Sequence, residues 1–227
     1  QKDRIELEIV GWCKGKISYS IDYRILTGFV SGDGSADVWK KLGAVLEEAW
    51  KKPDGTELKI KFMCVDSGNF TSEVYAFCSK HPQSRVVPVK GRDNQSVIVA
   101  APKLVNTTRS NKSKKGQKVW HVGVSLLKEE LYGWLNMDGQ CHFPQYDENY
   151  FKGLTSEELI TTKDKQGRDV RVWKVKYKRN EPLDCRNYAR AAAHMVGMDT
   201  FTAQQWDAMV NQEKKKKTIK KRESTFW

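Results

Sequence analysis

The sequence has no apolar run approaching the roughly 18–20 residues that a membrane-crossing helix needs, and its N-terminus shows no signal-peptide pattern. Cysteine is scarce. Cys13, Cys64, Cys78, Cys141 and Cys185 are odd in number and widely spaced, which argues against a disulfide framework and suits reduced thiols in a cytosolic core. No C-x-x-C pair occurs, and Cys78/His81 and Cys141/His142 stand isolated, so a zinc site has no ligand set. No G-x-x-x-x-G-K-S/T segment occurs either, which excludes a phosphate-binding loop for ATP. Two stretches lack acidic residues altogether: RSNKSKKGQK (109–118) holds five basic residues and KKKKTIKKR (214–222) seven, together the whole formal net charge of +12.

The rest of the chain is therefore formally neutral, and the excess sits on two low-complexity segments that cannot pack into a core. Such segments act as solvated, solubilising appendages or as contacts for a polyanion such as the phosphates of nucleic acid. The candidate contacts are Arg109, Lys112, Lys114, Lys115 and Lys118 in the first, and Lys214, Lys215, Lys216 and Lys217 in the second. With 227 residues, 39% hydrophobic and 30% charged, the chain is long enough for one sizeable core beneath a very polar surface.

RIELEIVGW (4–12) alternates apolar and polar residues with period two and predicts a strand. The stretch 17–30 predicts one long strand or two short ones. From Ala36 to Trp50, apolar residues at Val38, Leu42, Val45, Leu46 and Ala49 have helical spacing. A strand over 58–65, a short helix over 72–79 and a strand over 84–89 follow. The patch 97–105 predicts a strand, 119–127 is a further apolar run, 128–135 a short helix, 139–148 a loop, and LTSEEL (154–159) a capped helical turn. VRVWKVKYK (170–178) predicts a strand, and Glu181-Pro182 opens a helix that Gly197 stops. The order points to a mixed sheet with helices packed on it, an α/β or α+β fold.

Within that order, Asp66 closes the apolar run 60–65, with Ser67-Gly68 turning the chain behind it. Open α/β sheets place their sites at such strand ends. Asp184 falls in the first turn of the last helix. Each alone has a structural reading: a strand-end carboxylate accepts backbone N–H bonds, and a first-turn carboxylate is favoured by the helix dipole. Brought together, the two would repel and raise each other's pKa unless a divalent cation sat between them. Hard oxygen ligands of this kind select Mg²⁺ or Mn²⁺, and two such ions can drive phosphodiester hydrolysis. Lys90, after the strand VVPV, is either a solvated lysine or a cation poised for phosphate.

The blocks DRIELEIVGW, SYSIDYRIL, CVDSGNFTSEVYAFC, VVPVKG, HVGVSLLKEELYGWL, CHFPQYDENYFKGLTSEEL and NEPLDCRNYARAAA resemble, in order, the nuclease domain of lambda-type phage terminase large subunits. The resemblance covers residues 1–197 and leaves the basic tail outside. It implies an α/β, ribonuclease H-like mixed β-sheet flanked by helices over 1–200, with an inserted region near 92–150, and a C-terminal helix and basic tail over 201–227. It also implies an endonuclease that cuts concatemeric double-stranded DNA with two Mg²⁺ or Mn²⁺ ions during packaging in the host bacterial cytoplasm. The implied partners are an N-terminal ATPase motor, the small terminase subunit and the portal. A non-catalytic DNA-binding or docking module of the motor is the alternative.

Carried over by position, Asp66 is the strand-end ligand, Asp184 the helix ligand and Lys90 the lysine of the V-K-G block. The family's first strand carries an aspartate in a pattern like G-V/I-D-x-Q-x-D-R, and this sequence starts at the Q, so that ligand is expected upstream of Gln1. A protein truly beginning at Gln1 would hold one ion with Asp66 and Asp184, or complete the site with Asp3 or Glu181. Ser125 stands where an acidic residue is expected.

Overall fold

The computed structural model describes residues 2–52, 55–105 and 116–209. RIELEIVGW forms β1 (Arg4–Trp12), and a tight turn of Lys14–Lys16 sends the chain back as β2 (Ser18–Thr27). The two pair antiparallel from Arg4↔Thr27 to Trp12↔Ser18, with a register shift between Ile9 and Val10. Helix α1 (Ala36–Glu47) buries Val38, Leu42, Val45 and Leu46 at the predicted spacing. It ends short of Trp50, because Ala49–Lys51 becomes β3, paired with β4 (Glu57–Lys59).

The strand expected over 58–65 is two strands. Lys59 pairs back on Ala49, whereas Met63 pairs with Val86, so the chain changes sheets across 60–62. β5 (Met63–Asp66), helix α2 (Thr71–Cys78) and β6 (Val86–Arg92) then make a parallel crossover unit. The patch 97–105 is strand only at β7 (Lys103–Val105), apart from a single bridge between Val99 and Val122. β8 (Gln117–Gly123) runs between β6 and β7, giving the order β5-β6-β8-β7. The region expected as an insertion thus supplies an interior strand of this sheet.

The apolar run 119–127 divides at Gly123, where β8 ends and α3 (Val124–Leu135) begins. Cys141–His142 is a short strand, β9, parallel to β2. Helix α4 (Glu148–Leu154) is capped by Asp147, whose side chain accepts the Tyr150 N–H at 2.8 Å. No capped turn forms at 154–159. Ser156 and Glu157 are buried, and Glu157 opens β10 (Glu157–Lys163), which pairs antiparallel with β11 (Asp169–Val175). Helix α5 (Glu181–Met195) has Pro182 in its first turn, and Gly197 beyond its end takes φ 85°, the left-handed stop that glycine adopts without strain.

Helices cover both faces of the four-stranded sheet. Leu42 and Leu46 of α1 and Val74, Phe77 and Cys78 of α2 pack with Val86 and Val119 on one face. Leu127 of α3 and Ala191 of α5 pack with Val87, Val89 and Val122 on the other. Each such side chain, fully buried, contributes about 1.5–3 kcal/mol. Four sheets form among the described residues, since β1-β2-β9, β3-β4 and β10-β11 stand apart from this one. β1 and β5 each end their sheet, and residues of both line one cavity of about 1120 Å³ that reaches Asp66, Glu181 and Asp184. No helix among the described residues is long and apolar enough to cross a membrane.

Candidate active site

Asp66 is the last residue of β5, exposed, in a turn built to hold it there. Its Oδ1 accepts the Gly68 N–H at 3.0 Å, while Ser67 is buried and donates from both its N–H and its hydroxyl to the Val89 carbonyl, at 2.8 and 2.7 Å. The Thr71 hydroxyl donates to the Ser67 carbonyl at 3.0 Å as α2 begins. The strand end is thereby tied to β6, and the carboxylate is left outside.

Asp184 approaches from α5. Its carboxyl is pushed up to about 7, first by burial and next by the negative charge of Asp66; Lys128 opposes the shift, and Glu157 and Glu181 add to it. The fold therefore brings together the two aspartates singled out in the sequence, with Glu181 close enough to act on them. Glu181 also pairs with Arg179 at 3.4 Å. Asp3 lies just before β1 with its side chain 67% exposed and 3.5 Å from Arg4, and it is not among the charges that chiefly shift Asp184.

The register of α5 is fixed from the far side of the helix. Arg186 donates to Glu8 on β1 at 2.8 Å and to the Ser18 hydroxyl on β2 at 2.8 Å, with both charged side chains sealed from solvent. One turn beyond Asp184, Tyr188 interacts through its hydroxyl with the Asp66 carboxylate and the Gly91 backbone. Gly91 is glycine for a steric reason. A Cβ there would stand 3.0 Å from Val124 Cγ1 and 3.1 Å from the Tyr188 hydroxyl.

Three neighbours escaped the sequence reading. Tyr188 had a signal, since it lies four residues after Asp184 and so on the same helix face. Lys128 of α3 and Glu157 of β10 form a buried ion pair at 2.7 Å beside Asp184. No local pattern announces a pair 29 residues apart. Lys90 of β6 is half-buried. Asp66 is in register with Val89, and Lys90 is the next residue, so by strand alternation it projects to the face opposite the one α5 covers. Lys118 is exposed on β8. Arg109, Lys112, Lys114, Lys115, Lys214, Lys215, Lys216 and Lys217 lie outside the described residues.

Chemically, the pair offers hard oxygen donors of the kind Mg²⁺ and Mn²⁺ prefer. Among the described residues, no group of three or more His, Cys, Asp or Glu side chains is arranged to hold a metal. The fit is thus of a buried carboxyl, Asp184, beside the exposed carboxylate of Asp66, without a third.

Fold and site together define an α/β domain with an acidic site at the end of a parallel strand. Residues 1–206 match the family described as terminase large subunit gpA, endonuclease domain, and the chain belongs to that family. It is 29% identical over 206 residues to the terminase large subunit of Enterobacteria phage P21, and 29% identical over 205 residues to that of Escherichia phage lambda. Each alignment covers 85% of this chain, which spans only 30% of either relative's length. No solved structure matches.

Proposed function

We propose that this domain is a divalent-metal-dependent endonuclease that cleaves double-stranded DNA in the packaging of a phage genome. The observation that carries the proposal is the carboxyl of Asp184, pushed up to about 7 by burial and by Asp66. A fold that presses two carboxylates together at a strand end stores repulsion that a bound cation relieves. Asp66 and Asp184 would hold the ion, with Glu181 nearby. The bound Mg²⁺ or Mn²⁺ would supply an activated water and stabilise charge on the leaving oxygen. The chain's own residues do the rest. The Ser67 and Gly68 bonds fix Asp66, the Glu8–Arg186 pair fixes α5, and Tyr188 spans from α5 to Asp66.

The cavity between β1 and β5 supports a ribonuclease H-like reading. Two sheet edges, unpaired among the described residues, face it. A strand in that cavity would join the two sheets into one and end beside Asp66. The ATPase motor, small subunit and portal belong to this reading as partners.

The experiment is Mn²⁺ titration with plasmid nicking, on wild type and Asp66→Asn. Binding and nicking by wild type, both abolished in the variant at unchanged fold, are the expected results. A variant that cuts as well as wild type would remove Asp66 from the site. A wild type that neither binds Mn²⁺ nor nicks would leave a docking module of the packaging motor.

A further inference from the structure

The face of the four-stranded sheet opposite α5, on which α1 and α2 pack around Val86 and Val119, carries a second constellation beside them. Lys90 and Arg92 alternate onto one face of β6. Lys90 is in register with His121 of β8, and Lys103 of β7 is in register with Val119, two residues before His121. Antiparallel and parallel partners share a face, so Lys90, Arg92, His121 and Lys103 lie on one side of three adjacent strands. Among the described residues, none of the four has a carboxylate within ion-pair distance, although most other arginines in the fold do. Their mutual effect is visible in the imidazole. Burial first, then the positive charges of Arg92, Lys103 and Lys90, push the His121 pKa down.

β7 ends at Val105 in register with Gln117 at the start of β8, so the chain leaves this face and returns to it side by side. The intervening sequence holds Arg109, Lys112, Lys114 and Lys115 and no acid. At the other margin, Lys90 follows the register partner of Asp66 by one residue. The cationic row therefore begins one residue past the register partner of Asp66, on the opposite face of the sheet, and ends at Lys103.

We propose that Lys90, Arg92, Lys103 and His121 form a docking surface for the phosphate backbone of duplex DNA. Uncompensated cations on three adjacent strands fit a row of phosphates, because phosphate contacts position a duplex without reading its bases. The proposal rests on duplex DNA being the substrate, but not on the metal.

The test is fluorescence anisotropy of a 20-base-pair duplex with the full chain in EDTA, across a series of salt concentrations. Arg92→Gln with Lys103→Gln removes two exposed cations outside the metal site. The expected result is a log–log salt slope shallower by about 1.8, and affinity roughly 10- to 60-fold weaker near 0.1 M salt. Arg92→Lys with Lys103→Arg should restore the wild-type slope, which separates charge from misfolding. The His121 ring pKa, followed by NMR, should rise when duplex is added. An unchanged slope in the glutamine variant, an unmoved His121, or a wild type that binds no duplex would overturn the proposal. The assay contains no metal, so failure of this proposal, an unchanged salt slope, and failure of the nuclease reading, an absence of Mn²⁺-dependent nicking by wild type, are read in different experiments.

Discussion

Arg186 of α5 and Glu8 of β1 meet at 2.8 Å with side chains 2% and 0% exposed. Glu8 also accepts from the hydroxyls of Ser20, at 2.7 Å, and Tyr150, at 3.0 Å. Burial pushes its carboxyl up, and Arg186 opposes that. The pair sits one helical position beyond Cys185 and two beyond Asp184, so the contact that locks α5 to β1 also sets where Asp184 points. Removing one partner leaves the other charge buried alone, a loss of about 3–5 kcal/mol. Arg186→Met should therefore lower the melting temperature by on the order of 10 °C. Adding Glu8→Gln should recover part of that loss, and calorimetry of the single and double variants checks both statements.

The raised pKa of Asp184 has a signed consequence for stability. The folded state holds the proton up to about 7, against 3.8 for an unperturbed aspartate. Between those values the native protein binds more protons than the unfolded chain, so metal-free stability falls as pH rises through this window. Asp184→Asn should flatten the decline and raise the melting temperature at pH 7 by several degrees, while abolishing Mn²⁺ binding. Melting curves at pH 4.5 and 7 in EDTA provide the measurement. Equal slopes for wild type and variant would mean that Asp184 is ionised without penalty.

Gly91→Ala tests the packing between the site and the sheet. The added methyl meets Val124 and the Tyr188 hydroxyl at about 3 Å, and both are held by helices packed on the core. The expected loss is about 1–3 kcal/mol, with weaker Mn²⁺ affinity as Tyr188 is displaced from Asp66. Tyr188→Phe should weaken Mn²⁺ binding with a smaller loss of stability, which a titration beside a denaturant melt resolves.

Much of this was legible in the residues. Period-two alternation located β1, helical spacing located α1, and Pro182 and Gly197 bracketed α5, because each signal is local. Asp66 and Asp184 stood out for the same reason, as carboxylates at a strand end and a helix start. The misreadings occurred where a distant partner decides. Residues 60–62 look like strand, but their neighbours pair with different sheets. Ser156-Glu157 has the spacing of a cap, yet it becomes strand because Lys128 receives Glu157. The opposite-face cluster was hidden because Arg92, Lys103 and His121 are sequence-distant and meet only through the pairing of β6, β8 and β7.

The two strand edges along the cavity, unpaired among the described residues, also govern how this chain behaves toward copies of itself. Unpaired N–H and C=O groups on an edge are a template for any extended segment, and a second molecule can supply one. Net charge of +12 keeps copies apart while its field reaches far, about 10 Å at 0.1 M salt, but at 1 M that reach shrinks to about 3 Å. Concentrated salt, which ordinarily disperses a DNA-binding protein from its ligand, should here drive molecules together edge to edge.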